Sequence, residues 1–147
     1  MERKYAEFAA TKACELLAID SPSGYTQKAA MWVKEAFEAL GFAAKITTKG
    51  GVLADLGGAD KDDALFLQAH TDTLGAMVAE VKANGRLKLT PLGGLRAENA
   101  ETENVRVHTR TGKVIEGTVQ LCNASVHVNG AYGETKRTFD TVEAVLD

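Results

Sequence analysis

The spacing of apolar positions along the chain changes period twice. Tyr5, Phe8, Ala9, Ala13, Leu16 and Leu17 recur at three- and four-residue intervals, which predicts an amphipathic helix over about residues 3–18. Ser21-Pro22-Ser23-Gly24 breaks that pattern. It reads either as a loop beside a site or as a plain connection between helices. A second stripe, Ala29, Val33, Ala36, Phe37 and Leu40, predicts another helix, with Ser23 or Thr26 at its start and Gly41 as its stop. Alternation over 43–48 and 52–56 around Lys49-Gly50-Gly51 then predicts a β-hairpin. A polar turn over 57–63 leads into the continuous apolar run 64–69, the pattern of a strand covered on both faces of an α/β sheet.

From Leu74 onward the period is two. Residues 75–82 and 86–90 flank Ala83-Asn84-Gly85, and Asn-Gly is a strong hairpin signal. Residues 105–109 and 114–121 flank Arg110-Thr111-Gly112-Lys113 in the same way. Further strands are expected at 126–129 and 142–146, with a mobile polar loop over 129–137 between them. Two parts follow, 1–73 with helices and a first sheet, and 74–147 rich in β structure. One apolar central strand with two helices leaves edges and faces bare, so the first part is expected to be incomplete as an α/β domain.

Composition narrows the partners. The chain has 147 residues, 45% hydrophobic and 25% charged, with a net charge of −3, and its 17 lysines and arginines are scattered. That balance speaks against nucleic acid and against an anionic membrane surface. No stretch reaches the roughly 20 apolar residues of a membrane span. The N-terminal segment is helical in pattern rather than a signal-peptide core, so a cytoplasmic location is expected. Cys14 and Cys122 have no Cys-x-x-Cys spacing and are expected to be buried free thiols.

The chemistry gathers at His70-Thr71-Asp72, directly after the apolar run. On a strand, positions two apart share a face. An imidazole beside a carboxylate suits a metal site, one nitrogen ligating while the carboxylate fixes the ring; a hydrogen-bonded structural pair fits the same residues. A zinc site needs about three or four protein ligands. His108 and His127 fall on expected strands of the other part without a carboxylate cluster, and Glu98, Glu101 and Glu103 read as a solvated loop. The chain has no Gly-x-Ser-x-Gly, phosphate-binding loop or dinucleotide fingerprint. A metal-activated water is the chemistry these residues suggest.

The order of segments resembles the N-terminal part of the M42 metallo-aminopeptidases, the glutamyl and tetrahedral aminopeptidase group. It is carried by Ser21-Pro22-Ser23-Gly24, the hairpin at Gly50-Gly51, the run Ala69-His70-Thr71-Asp72-Thr73-Leu74-Gly75-Ala76-Met77-Val78, the hairpin ending Leu92-Gly93-Gly94, and Arg110-Thr111-Gly112-Lys113-Val114. The resemblance implies an incomplete zinc-peptidase-like α/β domain over 1–73. A β-barrel-like dimerisation domain, inserted after the His-x-Asp strand and itself incomplete, follows over 74–147. It implies two divalent metal ions, zinc or cobalt, with His70 as a metal ligand and Asp72 as the catalytic-centre carboxylate behind it. It further implies a peptide substrate and a homo-oligomer formed through the β-rich part. The family's remaining acidic and histidine ligands follow the inserted domain. The chain alone is therefore expected to be nearly inactive and to hold metal weakly or not at all. Thr73 stands where the family often has Glu, and Ala124-Ser125-Val126-His127 replaces a Pro-Pro-His segment. A non-catalytic oligomerisation module and an M20-type metallopeptidase are the alternatives.

Overall fold

A computed structural model describes residues 2–60 and 62–147, which form two compact units, Met1–Thr73 and Leu74–Asp147. The first unit opens with helix α1, Arg3–Leu17, supported on its surface by the i,i+4 pair Arg3–Glu7. Its extent matches the apolar period, but its apolar stripe is not covered: no residue of α1 is buried, and Tyr5, Phe8 and Leu17 are exposed. Helix α2, Gln27–Ala39, buries Ala29 and Ala30. Thr26 is its N-cap by position, without a side-chain capping bond. Gly41, at φ 88°, ends α2 as the pattern requires. Its N–H donates to Glu38 O, and the Phe42 N–H donates to Phe37 O, the paired bonds of a Schellman turn. The hairpin follows as β1, Ala43–Ile46, and β2, Val52–Asp55, antiparallel from Ala43↔Asp55 to Ile46↔Val52.

The expected central strand over 64–69 does not form. These residues join no ladder, and Leu65, Phe66 and Leu67 are 85%, 70% and 75% exposed. An apolar run states a need for cover without supplying it. Here β1 and β2 pair with each other, leaving no ladder partner among the described residues. The segment is caught only at its end, where Thr73 makes a parallel bridge with Pro22.

The second unit is one antiparallel sheet of five strands: β3, Gly75–Val81; β4, Leu87–Leu92; β5, Asn104–His108; β6, Val114–Leu121; and β7, Val142–Leu146. Their spatial order is β3-β4-β7-β6-β5. The last strand therefore lies in the middle, and Val142, Glu143 and Ala144 are all buried. Leu87, Leu89, Val119, Leu121, Val142 and Ala144 make the core with Ala97 and Ala100. Those two alanines come from a one-turn helix α3, Ala97–Ala100, inside the stretch expected to be a solvated acidic loop.

Three further expectations are corrected. Residues 126–129 are a turn, closed by Asn129 N–H to Ser125 O at 2.8 Å, and Val126 and Val128 are exposed. Alternating apolar side chains do not make a strand where no neighbour completes the ladder. The segment 129–137 is pinned rather than free. Arg137 reaches Glu101 at 2.8 Å and donates to Tyr132 O and Thr135 O, stacking over the Tyr132 ring at 4.9 Å. Both cysteines are exposed, not buried.

Candidate metal-ligand site

The site is built in the first unit, where two segments far apart in sequence meet. Pro22 and Gly24 shape a tight turn: Gly24 takes φ 88°, and the Tyr25 N–H donates to Pro22 O at 2.8 Å. Ser21, 1% exposed, fastens this turn to the His-x-Asp segment from both of its groups. Its carbonyl accepts from Thr73 N–H at 2.9 Å, and its hydroxyl donates to Thr71 O at 3.0 Å. Ser23 then donates to Asp72 Oδ2 at 2.7 Å. The turn is thus the segment's hydrogen-bonded partner as well as the connection between the two helices.

His70 and Asp72 come together although no strand holds them. His70 Nδ1 lies 3.1 Å from Asp72 Oδ1 and 3.0 Å from the Asp72 backbone oxygen. Both neighbours are acceptors. Nδ1 therefore carries the proton of the neutral ring, and Nε2 keeps its lone pair. The ring itself is open to solvent, its side chain 85% exposed. The Ser23 hydrogen bond, foremost, lowers the Asp72 pKa below its ordinary 3.8; burial opposes this and His70 adds to it. The carboxylate stays ionised across the neutral range, as an imidazole-orienting group must.

One imidazole with its carboxylate fits one corner of a metal site. Among the described residues, no group of three His, Cys, Asp or Glu is placed to hold an ion. His108 lies on β5 and His127 in the 126–129 turn, both in the other unit. The described residues fit a single ligand and not a ligand set. An open groove of about 450 Å³ along α2, lined by Ile19, Met31 and Trp32 among others, includes none of the site residues.

The second unit holds a charge cluster that sequence reading missed. Glu143, on the central strand, is 2% exposed and receives Lys82 at 2.7 Å and Arg86 at 2.5 Å from either end of the β3–β4 turn. Burial is the largest single influence on Glu143 and raises its pKa. The hydrogen bonds from Lys82 and Arg86, with their charges, outweigh it and hold the carboxyl below its ordinary 4.5. Lys82 is raised in turn, first by its bond to Glu143. Cys122 Sγ sits 3.8 Å from Lys82 Nζ, and its thiol pKa is raised, chiefly by partial burial and then by Glu143.

The chain is a mixed α/β protein in which a histidine–carboxylate pair follows the first hairpin and a five-stranded antiparallel sheet comes after it. Comparison with known proteins makes this specific. Residues 50–147 match the M42 glutamyl aminopeptidase family, and the chain belongs to that family. It is 38% identical over 133 residues to YhfE of Bacillus subtilis (strain 168), a candidate aminopeptidase, covering 90% of this chain and 38% of the relative. Its fold is similar to that of aminopeptidase APDkam598 from the archaeon Desulfurococcus kamchatkensis. There the TM-score is 0.75 at 22% identity, over 88% of this chain and 34% of that one. It is also similar to PhTET1-12s, described as a dodecamer, with a TM-score of 0.68 at 16% identity, over 93% of this chain and 45% of that one. The chain thus spans between about a third and just under half of the length of these relatives.

Proposed function

We propose that the chain supplies His70, through Nε2, as one ligand of the two-metal centre of an M42-type aminopeptidase, with Asp72 as the carboxylate that fixes the ring. The observation that carries this reading is the pair of acceptors facing His70 Nδ1, which leaves Nε2 as the open donor atom. Family membership supports it. The ions are divalent, zinc or cobalt, and when bound they supply an activated water and polarise the peptide carbonyl. His70 and Asp72 orient and charge-balance one corner of that centre. Residues 1–73 belong to the peptidase domain and 74–147 to a dimerisation domain inserted within it. The substrate is a peptide with a free N-terminus. The protein acts as a homo-oligomer in the cytoplasm, a reading supported by the dodecameric relative and by the two unbridged cysteines.

Two measurements test the reading. Titrated with Co²⁺ or Zn²⁺, the chain is expected to bind weakly and through His70, with binding lost in His70→Ala; tight stoichiometric uptake by the chain alone contradicts it. Joined to the part of the Bacillus subtilis relative beyond the matched region, the chain is expected to release N-terminal residues from peptides. His70→Ala should lower that rate by roughly a hundredfold or more. Equal activity in the two forms rules out His70 as a ligand.

A further inference from the structure

We propose that Ser23 is a positioning residue whose hydroxyl, donated to Asp72 Oδ2, turns the carboxylate so that Oδ1 faces His70 Nδ1 and locks the imidazole as its Nδ1–H tautomer. The proposal rests on the reading of His70 as a ligand through Nε2. The carboxylate of Asp72 is 41% exposed, and rotation about the last torsion of an aspartate is soft. Left alone, either oxygen could turn to solvent. Ser23 occupies Oδ2 at 2.7 Å, which leaves Oδ1 for the ring at 3.1 Å. Ser23 is presented by a stiff element. Pro22 restricts the backbone before it, Gly24 follows at φ 88°, and the turn is closed by the Tyr25 N–H.

The work of this turn is divided between its two serines. Ser21, buried, bonds only backbone atoms of the His-x-Asp segment, at Thr71 O and Thr73 N. Its bonds set where the segment lies. Ser23 bonds a side-chain carboxylate, so its bond sets how that carboxylate is turned. At a strand's end a ladder would ordinarily share this task, but residues 64–70 have none, and the turn does both jobs. An imidazole with its proton on Nε2 cannot ligate through that atom. The hydroxyl of Ser23 therefore acts two bonds away from the ligand, through Asp72, on whether His70 is ready to receive an ion.

The test uses the 147-residue chain labelled with ¹⁵N-histidine. Long-range ¹H–¹⁵N spectra are recorded well above the ordinary imidazole pKa of about 6.5. The wild-type chain should show His70 mostly as the Nδ1–H tautomer. In Ser23→Ala, where the Asp72 backbone oxygen at 3.0 Å is the one acceptor still fixed at Nδ1, the Nε2–H population should rise measurably, while the backbone amide pattern and the signals of His108 and His127 stay in place. Ser23→Thr, which keeps the hydroxyl, should restore the wild-type balance. An unchanged tautomer balance in Ser23→Ala overturns the role of Ser23. Should that variant disturb the amide pattern, failure of Ser23→Thr to restore the balance overturns it as well. Added Zn²⁺ separates the two readings. If the wild-type Nε2 signal moves with zinc while Ser23→Ala keeps the balance, Ser23 alone is excluded. If wild-type His70 carries its proton on Nε2, the ligand reading falls with it.

Discussion

Replacing Gly117 by alanine should loosen the β unit at a point that no side-chain motion can relieve. Gly117 sits on β6 opposite Leu146 of β7. A Cβ built there runs into the Val145 carbonyl oxygen, with Val145 C at 3.1 Å and Leu146 Cα at 3.2 Å. All three atoms are backbone, whereas a carbon next to a carbonyl oxygen ordinarily stands off by about 3.3 Å or more. Strand β7 must therefore move away from β6. The bonds most at risk are those at the Gly117↔Leu146 position and the Asp147 N–H to Glu116 O bond of 3.1 Å. A ladder hydrogen bond is worth about 1 kcal/mol net, and overpacking a well-filled site costs about 1–3 kcal/mol. Against this, alanine in a strand gains about 0.5–1 kcal/mol over glycine from the unfolded chain. The net loss should be about 2 kcal/mol, a fall in melting temperature of roughly 10 °C for a unit of this size. The only tryptophan, Trp32, lies in the other unit, so the readout is hydrogen exchange at Cys122 and Asp147, whose amides bond Thr141 O and Glu116 O across the β6–β7 pair. Protection in Gly117→Ala equal to wild type would refute the close approach of β6 and β7.

Acid should weaken this same unit through Glu143. Its folded pKa lies below the ordinary 4.5, so its contribution to stability is complete above that value. It is lost as pH falls through the folded value. Glu143→Gln should flatten the acid limb of a urea-midpoint curve against pH, and an acid limb as steep as wild type would count against the paired carboxylate. Arg137→Ala should speed proteolytic cleavage within 129–137 several-fold, because Arg137 ties that segment to Glu101 and to its own carbonyls. Arg137→Lys should rescue this only in part, since a single ammonium cannot reproduce the fork of donors; unchanged cleavage in Arg137→Ala would remove the anchor.

Local patterns were readable wherever the partner is near in sequence. The stop at Gly41, the turn at Asn84-Gly85 and the extents of β6 and β7 all follow from neighbouring residues. What needed a distant partner was not readable. The run 64–69 reads as a strand because its side chains call for cover, yet a ladder depends on what lies alongside. Glu143 alternates with Val142 and Ala144 as if it faced solvent, and only the arrival of Lys82 and Arg86 from another hairpin makes its burial tolerable. The His70–Asp72 pairing was legible from its spacing, because two residues two apart can meet in any extended backbone. Ser23 was not, since 49 positions separate it from Asp72.

That separation has a kinetic side. The bonds from Ser21 and Ser23 close a ring of about fifty residues that encloses α2 and the β1–β2 hairpin. Drawing the ends of a flexible loop of that length together costs about 3–4 kcal/mol in chain entropy. The enclosed helix and hairpin shorten the effective span and so lower this cost. Closing the ring is thus easiest once its interior has folded, and damage to α2 or the hairpin is expected to degrade the placement of an imidazole that neither element touches.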